Sequence, residues 1–400
     1  MPKDDWRHER AACLAQSRLL LVKVGSAVLS GPSGLDAAVM EGLATQLTLL
    51  RYIGGEQRSL VLVSSGAVAA GRAVLKAGGR NVENTGLAAR QAAAAVGQGQ
   101  LMRAWDRALR PHNMPTAQVL LTRDDLRARQ RYLNVRNTFA ELLQWGVLPI
   151  VNENDTVSVS ELRFGDNDCL ASLLLNLIGA DVFINLTSAQ GVLDGNPQKN
   201  AEARVMPCIE DVDRLDLAQL CGGKTTVGTG GMYSKLLAAR RAAQIGVPTL
   251  ILPGREPQVM LRAFAAAGLN ALSAELEPFN GGTWVRPARH TIPRRKFWLA
   301  YQSEPGGVLQ VDAGAAKALL EQGGSLLPGG VRGVEGSFQA GALVRVDFDG
   351  QALGVGLSNY GTAVLKKIMG RKRHEVAAIL GDAHYPEVIH RDNLLLHAVV

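Results

Sequence analysis

Aromatic residues are scarce in this sequence. They make up 5% of its 400 residues, which argues against a broad base-stacking surface of the kind that holds single-stranded nucleic acid. Cysteine is also rare, since the chain has four and none of them forms a Cys-x-x-Cys pair. Their wide spacing matches no zinc framework, and reduced thiols are typical of the cytoplasm. We therefore expect a cytoplasmic protein without disulfides.

Long apolar runs are missing as well. The most apolar stretch, residues 170–186, is interrupted by Asn176 and Asp181, and it is too short to cross a bilayer as a helix. The first residues carry charges of both signs and do not resemble a signal peptide. We expect no membrane segment and no membrane partner.

Several common site motifs are absent. The sequence contains no G-x-x-x-x-G-K-[ST] and no G-x-G-x-x-G after its first predicted strand, which argues against a P-loop enzyme and a dinucleotide-binding fold. It has no H-E-x-x-H or G-x-S-x-G motif. Its seven histidines include no closely spaced pair, so we assign no metal to protein ligands.

The chain does contain a regular alternation of short apolar runs and helical patterns. Predicted strands cover residues 19–24, 60–63, 117–121, 148–151, 182–186 and 249–252, and predicted helices cover 36–53, 134–145 and 168–178. Continuous apolar strands that alternate with helices indicate an α/β fold, with a mostly parallel sheet covered by helices on both sides. Ligands of such sheets bind beyond the carboxyl ends of the strands.

The pattern changes near residue 270. Prolines and glycines punctuate residues 269–292, which we interpret as a linker between a first domain at 17–268 and a second at 293–392. Short alternating runs at 296–301, 307–311, 343–346 and 353–357 predict a small, mostly β second domain. A length of 400 residues suits about two domains.

Two strand ends near the start of the chain carry groups suited to anions. Lys23 precedes Gly25 and Ser26, and a glycine turn beside a lysine can cradle a phosphate. Ser64 and Ser65 precede the glycine of the next turn, where hydroxyls suit a carboxylate. Each segment also has a structural interpretation: an edge-strand lysine that reaches solvent, and a serine that caps the next helix.

Two later segments are denser in polar residues. Residues 152–155 read Asn-Glu-Asn-Asp and residues 165–168 read Gly-Asp-Asn-Asp, in an otherwise apolar region. Such density predicts function, although Asp168 also stands where it can cap a helix. Residues 228–235 form a glycine-rich loop ending in Lys235, which suits a nucleotide phosphate chain or is a plain mobile loop.

Taken in order, these segments resemble the amino acid kinase family. The matching segments are VKVGSAVL, VSSGAVAAG, AAVGQGQLM, LLTRDD, PIVNENDTV, GDNDCLAS and GTGGMYSK. Near the C-terminus, SLLPGGVRGVEGSF, GLSNYG and HYPEVIHRDN resemble a PUA domain. The resemblance implies a three-layer α/β/α sandwich followed by a small PUA-like barrel.

The resemblance also implies an activity: ATP-dependent phosphorylation of the γ-carboxylate of L-glutamate, with Mg²⁺, as the first step of proline biosynthesis. The product is a labile acyl phosphate, and the family implies a glutamyl phosphate reductase partner, feedback inhibition by proline and a homo-oligomer. A carboxylate is already an anionic nucleophile, so the chemistry needs no general base, in keeping with the lack of a conspicuous catalytic histidine.

Site residues follow by motif position. The resemblance implies that Lys23 and Lys235 contact the transferred phosphoryl group, while Asp168 orients these lysines or assists with Mg²⁺. Ser65, Asp155 and Asn167 are implied to hold glutamate. The residues implied to hold ATP are Lys23, Gly25, Thr187, Ser188, Thr229, Gly230, Gly231, Met232, Tyr233, Ser234 and Lys235.

The chain departs from the family pattern on the nucleotide side. Many members have Thr-Asp in place of Thr187-Ser188, and a Thr/Ala-Asp-Pro stretch in place of residues 195–197.

Two alternatives stay open from the sequence. In the first, the chain is a kinase of the same family with another substrate, since related kinases phosphorylate aspartate, acetylglutamate, carbamate or UMP. In the other alternative the chain is an RNA-binding scaffold that uses its PUA-like domain and the basic segment 366–373. That segment can equally be a solvated helix face, and the net charge of +7 suits small anions as well as RNA.

Overall fold

A computed structural model of the chain describes residues 5–80, 86–157, 167–196, 200, 202–221, 231–269, 276–289, 291–301, 305–381 and 385–396. The chain divides into two compact units, Met1–Thr291 and Ile292–Val400. Within the described ranges, no helix combines the length and the apolar content that crossing a bilayer requires.

The first unit alternates strands and helices. Its strands are β1 (Leu19–Val24), β2 (Ser30–Gly31), β3 (Gly34–Leu35), β4 (Ser59–Ser64), β5 (Thr116–Leu121), β6 (Leu148–Glu153), β7 (Val182–Thr187), β8 (Cys208–Ile209), β9 (Thr249–Pro253) and β10 (Thr283–Val285). Its helices are α1 (Asp5–Gln16), α2 (Ser26–Leu29), α3 (Ala37–Leu50), α4 (Ala67–Ala77), α5 (Leu87–Leu109), α6 (Arg123–Arg127), α7 (Arg129–Gln144), α8 (Asn167–Ile178), α9 (Leu217–Leu220), α10 (Met232–Gln244) and α11 (Val259–Ala265).

One eight-stranded sheet organises this unit, in the order β5-β6-β4-β1-β7-β9-β10-β8. The first six strands in this order, β5 through β9, are parallel to one another. Strand β10 pairs antiparallel to β9. The mostly parallel sheet predicted from the sequence is therefore confirmed. Strand β10 lies inside the segment 269–292 that we interpreted as a linker. It belongs to the sheet of the first unit, and its Trp284 is fully buried.

Helices cover both faces of the sheet. On β9, Leu250 and Leu252 pack in one apolar cluster with residues of α3 and α5, while Ile251 packs in another with residues of α10. Alternate residues of a strand point to opposite faces, so the two clusters lie on opposite sides. Burying one such leucine or isoleucine contributes about 1.5–3 kcal/mol, and these layers confirm the predicted sandwich.

The second unit has its own sheet and core. Its strands are β11 (Gly307–Val311), β12 (Val331–Gly336), β13 (Leu343–Phe348), β14 (Gln351–Leu357) and β15 (Leu394–Leu396), in the order β12-β11-β13-β14-β15. Its helices are α12 (Arg294–Tyr301), α13 (Ala313–Gln322), α14 (Thr362–Ile368) and α15 (Arg373–Leu380).

The predicted strand at 296–301 is wrong, because these residues belong to α12. The backbone N–H groups of Lys296 and Phe297 donate to the carbonyl of Pro293 at 2.7 and 3.2 Å, which starts a helical turn. A proline just before a first turn favours a helix start. Phe297 and Leu299 are nevertheless buried, so the alternating pattern located apolar contacts and misassigned the backbone.

Helices α4 and α5 cross at two glycines. A Cβ atom placed on Gly71 would lie 1.7 Å from the carbonyl oxygen of Ala93, and one placed on Gly97 would lie 1.8 Å from that of Ala67. Both obstacles are backbone atoms, so side-chain rearrangement cannot relieve them. The two glycines therefore set how closely the backbones of α4 and α5 approach.

Replacing Gly71 or Gly97 by alanine should destabilise the first unit by about 1–3 kcal/mol or more, because the helices must separate to admit the new methyl group. Urea unfolding followed by circular dichroism measures this loss. Gly42 of α3 is the matched control, since a Cβ there would meet nothing within 4 Å and alanine should be neutral or stabilising by up to ~1 kcal/mol. Equal stability of all three variants would contradict the close crossing.

Candidate functional site

A cleft of about 490 Å³ opens where the carboxyl ends of adjacent strands β6, β4, β1 and β7 meet. Ser65 follows β4, and its N–H donates to the carbonyl of Val24 at the end of β1 at 3.1 Å. This placement agrees with the rule that open parallel sheets bind ligands at this edge. The predicted site residues that line the cleft are Lys23, Gly25, Ser65, Asp155, Asn167, Thr187, Ser188 and Lys235.

Asp168 lies at the centre of the buried charges. It stands in the first turn of α8 and is fully buried. Lys23 Nζ lies 2.5 Å from its Oδ1 and Lys235 Nζ lies 3.0 Å from its Oδ2. Burial by itself raises the pKa of Asp168, but the charges and hydrogen bonds of the two lysines outweigh it and hold that pKa well below its ordinary value. The carboxylate is therefore ionised at neutral pH.

Two neutral side chains also donate hydrogen bonds to this carboxylate. Asn185 Nδ2 donates to Asp168 Oδ1 at 2.9 Å, and the Ser234 hydroxyl donates to Oδ2 at 2.9 Å. Asn185 pairs in register with Lys23 across β7 and β1, so both side chains reach the same face of the sheet. We did not predict Asn185, although an asparagine within the apolar run of β7 is the kind of buried polar group that signals a partner.

Both lysines are buried and also line the cleft, at 2% and 5% exposure for Lys23 and Lys235. A buried lysine is costly unless it is paired, and Asp168 supplies the pair for both. Two cations around one anion leave a net positive charge beside the cleft. Such a cluster can stabilise an anionic group that enters it.

An amide network lies beside this cluster. Asn167 Nδ2 lies 2.9 Å from both Ser65 Oγ and Asn152 Oδ1, and Asn152 Nδ2 donates to Gln98 Oε1 at 2.9 Å. The network joins α5, β6, α8 and the turn after β4. Asn152 and Gln98 belong to segments that we singled out in the sequence, but we assigned neither of them a role.

Asp155 lines the same cleft and is half-buried. Burial raises the pKa of Asp155, and the positive charge of Arg90 opposes that shift. Arg72 and Arg90 also line the cleft. We did not predict these two arginines, because arginines are common on the exposed faces of amphipathic helices.

The residues predicted for the nucleotide are less closely grouped. Gly25 donates its N–H to the carbonyl of Leu186 at 3.3 Å, so that donor is engaged within the sheet. Gly231 caps α10, Met232 begins it, and the side chain of Tyr233 is 43% exposed, but none of the three lines the cleft. Thr229, Gly230, Gly165, Asp166 and Pro197 lie outside the described residues.

Replacing Asp168 by asparagine should destabilise the first unit by about 3–5 kcal/mol at neutral pH, because two buried lysines lose their compensating charge. An aspartate whose folded-state pKa is lowered contributes stability above its ordinary pKa of 3.8. That contribution is lost as the pH falls through the lower folded-state value. The difference between wild type and variant should therefore shrink below pH 3.8.

Denaturant unfolding of both proteins across this pH range measures the difference. Asp106→Asn is the control, since its ion pair with Arg110 is exposed and is worth at most about 1 kcal/mol. A penalty for Asp168→Asn that does not change with pH would rule out the ionised carboxylate.

Comparisons with known proteins agree with the fold. Residues 18–253 match the family model of the amino acid kinase family, and residues 307–380 match that of the PUA domain. The chain is 60% identical to a glutamate 5-kinase of Nitratidesulfovibrio vulgaris (strain DP4), over 99% of this chain and 100% of that protein. It is 58% identical to the glutamate 5-kinase of Oleidesulfovibrio alaskensis, over 99% and 100%. It is 43% identical to that of Geobacter sulfurreducens, over 97% and 100%.

Proposed function

The chain belongs to the amino acid kinase family, and from this membership we propose that it catalyses the glutamate 5-kinase reaction. The terminal phosphoryl group of ATP is transferred to the γ-carboxylate of L-glutamate, which is the first step of proline biosynthesis from glutamate. The observation that best supports this proposal is the buried Lys23–Asp168–Lys235 cluster beside a cleft with polar walls.

The reaction needs charge stabilisation more than proton transfer. An oxygen of the γ-carboxylate attacks the terminal phosphorus, and the bond from that phosphorus to the bridging oxygen breaks. ADP leaves with the electron pair and the product is an acyl phosphate. No proton moves, so the site needs no general base. Negative charge spreads over the phosphoryl oxygens during the transfer, and Lys23 and Lys235 supply fixed positive charge there.

Asp168 serves in this proposal as the residue that orients the two lysines. Its two oxygens already accept hydrogen bonds from lysine, asparagine and serine side chains. In the described part of the chain, no cluster of acidic, histidine or cysteine side chains could hold a metal ion. We assign Mg²⁺ to the phosphates of ATP, where it would offset their charge.

The remaining assignments divide the cleft between the two substrates. Ser65 and Asn167 are already joined by a hydrogen bond, and with Asp155 we propose that they hold glutamate. Thr187 and Ser188 lie on the other side of β1, at the end of β7. With Gly25 and residues 229–235, we assign them to ATP.

The wider context is also part of the proposal. An acyl phosphate hydrolyses readily, so a glutamyl phosphate reductase is the expected consumer of the product. Feedback inhibition by proline and a homo-oligomeric state are family features that we extend to this chain. The four cysteines, all within the described ranges, are thiols and form no disulfide, which supports a location in the cytoplasm.

Purified protein with ATP, Mg²⁺, L-glutamate and hydroxylamine should form glutamyl hydroxamate, because hydroxylamine traps the acyl phosphate. Aspartate and acetylglutamate should give none above background. Lys23→Ala and Lys235→Ala should each lower turnover roughly 10²- to 10³-fold, as loss of a transition-state donor does. The coloured iron complex of the hydroxamate provides the measurement.

Lys76→Ala is the matched control, because this exposed lysine lies at the end of α4 and does not line the cleft. Circular dichroism checks that each variant is folded. A folded wild-type protein that yields no hydroxamate would refute the proposed reaction, and wild-type turnover in either lysine variant would refute the role of that lysine.

A second candidate function concerns the PUA domain and its basic segment. Lys366, Lys367, Arg371, Lys372 and Arg373 are all exposed, although Arg371 pairs with Glu375 at 3.4 Å. Exposed cations close together can neutralise phosphates of RNA, and this favours RNA binding as an added property.

If this segment binds RNA, a gel shift with tRNA should be strong at low salt and weaken steeply as salt rises. The double variant Lys366→Gln/Lys367→Gln should bind less tightly, since fewer counterions are released. Lys317→Gln, which removes an exposed lysine from α13, is the control. No shift at low salt would eliminate RNA binding.

A further inference from the structure

The cleft contains more charge than phosphoryl transfer uses. Besides the lysine–aspartate cluster, its lining includes Arg72, Arg90, Glu153 and Asp155. Glutamate has three charged groups, and the transfer reaction engages the γ-carboxylate alone. An α-carboxylate and an α-ammonium group remain, and each needs a partner of opposite sign to be held in a partly dry cleft.

Arg72 is placed to face the bound substrate. It lies on α4 four residues after Val68 and three after Ala69, both of which line the cleft. Residues at these spacings share one face of a helix. The neighbouring Gly71 packs against the backbone of α5, so the position of Arg72 is fixed by the helix crossing before any ligand binds.

The guanidinium of Arg72 also has unused hydrogen-bonding capacity. Its Nε atom is buried, and no described atom accepts a hydrogen bond from it. This donor is therefore not satisfied within the described part of the chain, and Arg72 lines the cleft that a ligand carboxylate would enter. A planar guanidinium also matches a carboxylate with two parallel hydrogen bonds.

Arg90 has a different environment. It is exposed, and its positive charge acts on Asp155 in the same cleft. Its charge is therefore already partly balanced by a carboxylate of the protein. Asp155 in turn provides the negative charge that an α-ammonium group requires.

We propose that Arg72 binds the α-carboxylate of the amino acid substrate and thereby selects acceptors that carry one. The assignment rests on the proposed glutamate phosphorylation and specifies how the substrate is oriented. Arg72 holds the carboxylate, Asp155 faces the ammonium group, and the γ-carboxylate is left for the lysines.

Three acceptors separate these contacts. Glutamate has both α-groups, glutarate lacks the ammonium group, and 4-aminobutyrate lacks the α-carboxylate. Each is measured as an acceptor in the hydroxamate assay or as a competitive inhibitor of glutamate turnover. Arg72→Gln should weaken the apparent affinity for glutamate and for glutarate by about 10- to 100-fold, which is the effect of losing a charge-assisted hydrogen bond. The apparent affinity for 4-aminobutyrate should change by less than about threefold.

For glutamate, the loss should appear mainly in KM, because the contact is remote from the reacting atoms and is made equally in the ground and transition states. Arg72→Lys should recover part of the affinity, since it keeps the charge but loses the planar fork. Asp155→Asn should weaken the binding of glutamate and 4-aminobutyrate, which carry the ammonium group, and leave the binding of glutarate unchanged. Arg103→Gln, an exposed arginine of α5 outside the cleft, is the matched control.

The outcomes are distinct. Absence of hydroxamate from the wild-type protein would overturn both the proposed function and this assignment. With an active wild type, equal losses for all three compounds, or no loss for glutamate, would overturn the role of Arg72 alone. A loss confined to the two dicarboxylates in Arg90→Gln rather than in Arg72→Gln would overturn it as well.

Discussion

The carboxylate of Asp168 accepts hydrogen bonds from side chains of three other elements, and the catalytic edge of the first unit is arranged around it. Lys23 comes from β1, Asn185 from β7, and Ser234 with Lys235 from α10. A buried lysine or asparagine is costly without a partner, and Asp168 supplies one to each of these elements. The same anion therefore holds the layers of the sandwich in register and keeps two cations in the interior.

In the proposed reaction, this arrangement supplies charge stabilisation without a general base. The positive charges are fixed before substrates bind, so little reorganisation is needed when charge moves along the reaction. The energetic cost of burying the two lysines is offset within the fold, by the carboxylate of Asp168, and not by the ligand. Beside them, Asn167 follows the same principle, since Ser65 and Asn152 already orient its amide group.

The sequence predicted the central sheet well because buried parallel strands read as continuous apolar runs. It singled out Lys23 and Ser65 because they interrupt or follow such runs, and Asp168 because it lies in a dense polar segment just before a helix. It could not locate Arg72 or Gln98, whose importance depends on how two helices cross, and nothing local records that geometry. The misassigned α12 shows the related limit that an alternating pattern identifies buried residues without fixing the backbone around them.

The glycine pair at the crossing of α4 and α5 constrains any redesign of the acceptor cleft. Gly71 and Gly97 hold two backbones at their distance of closest approach, and α4 carries one wall of the cleft on its first turns. The wall cannot move inward, and moving it outward would open a gap along the crossing. Room for a bulkier acceptor must therefore come from trimming side chains, so natural or engineered changes of substrate should concentrate at the lining residues while the helix scaffold stays unchanged.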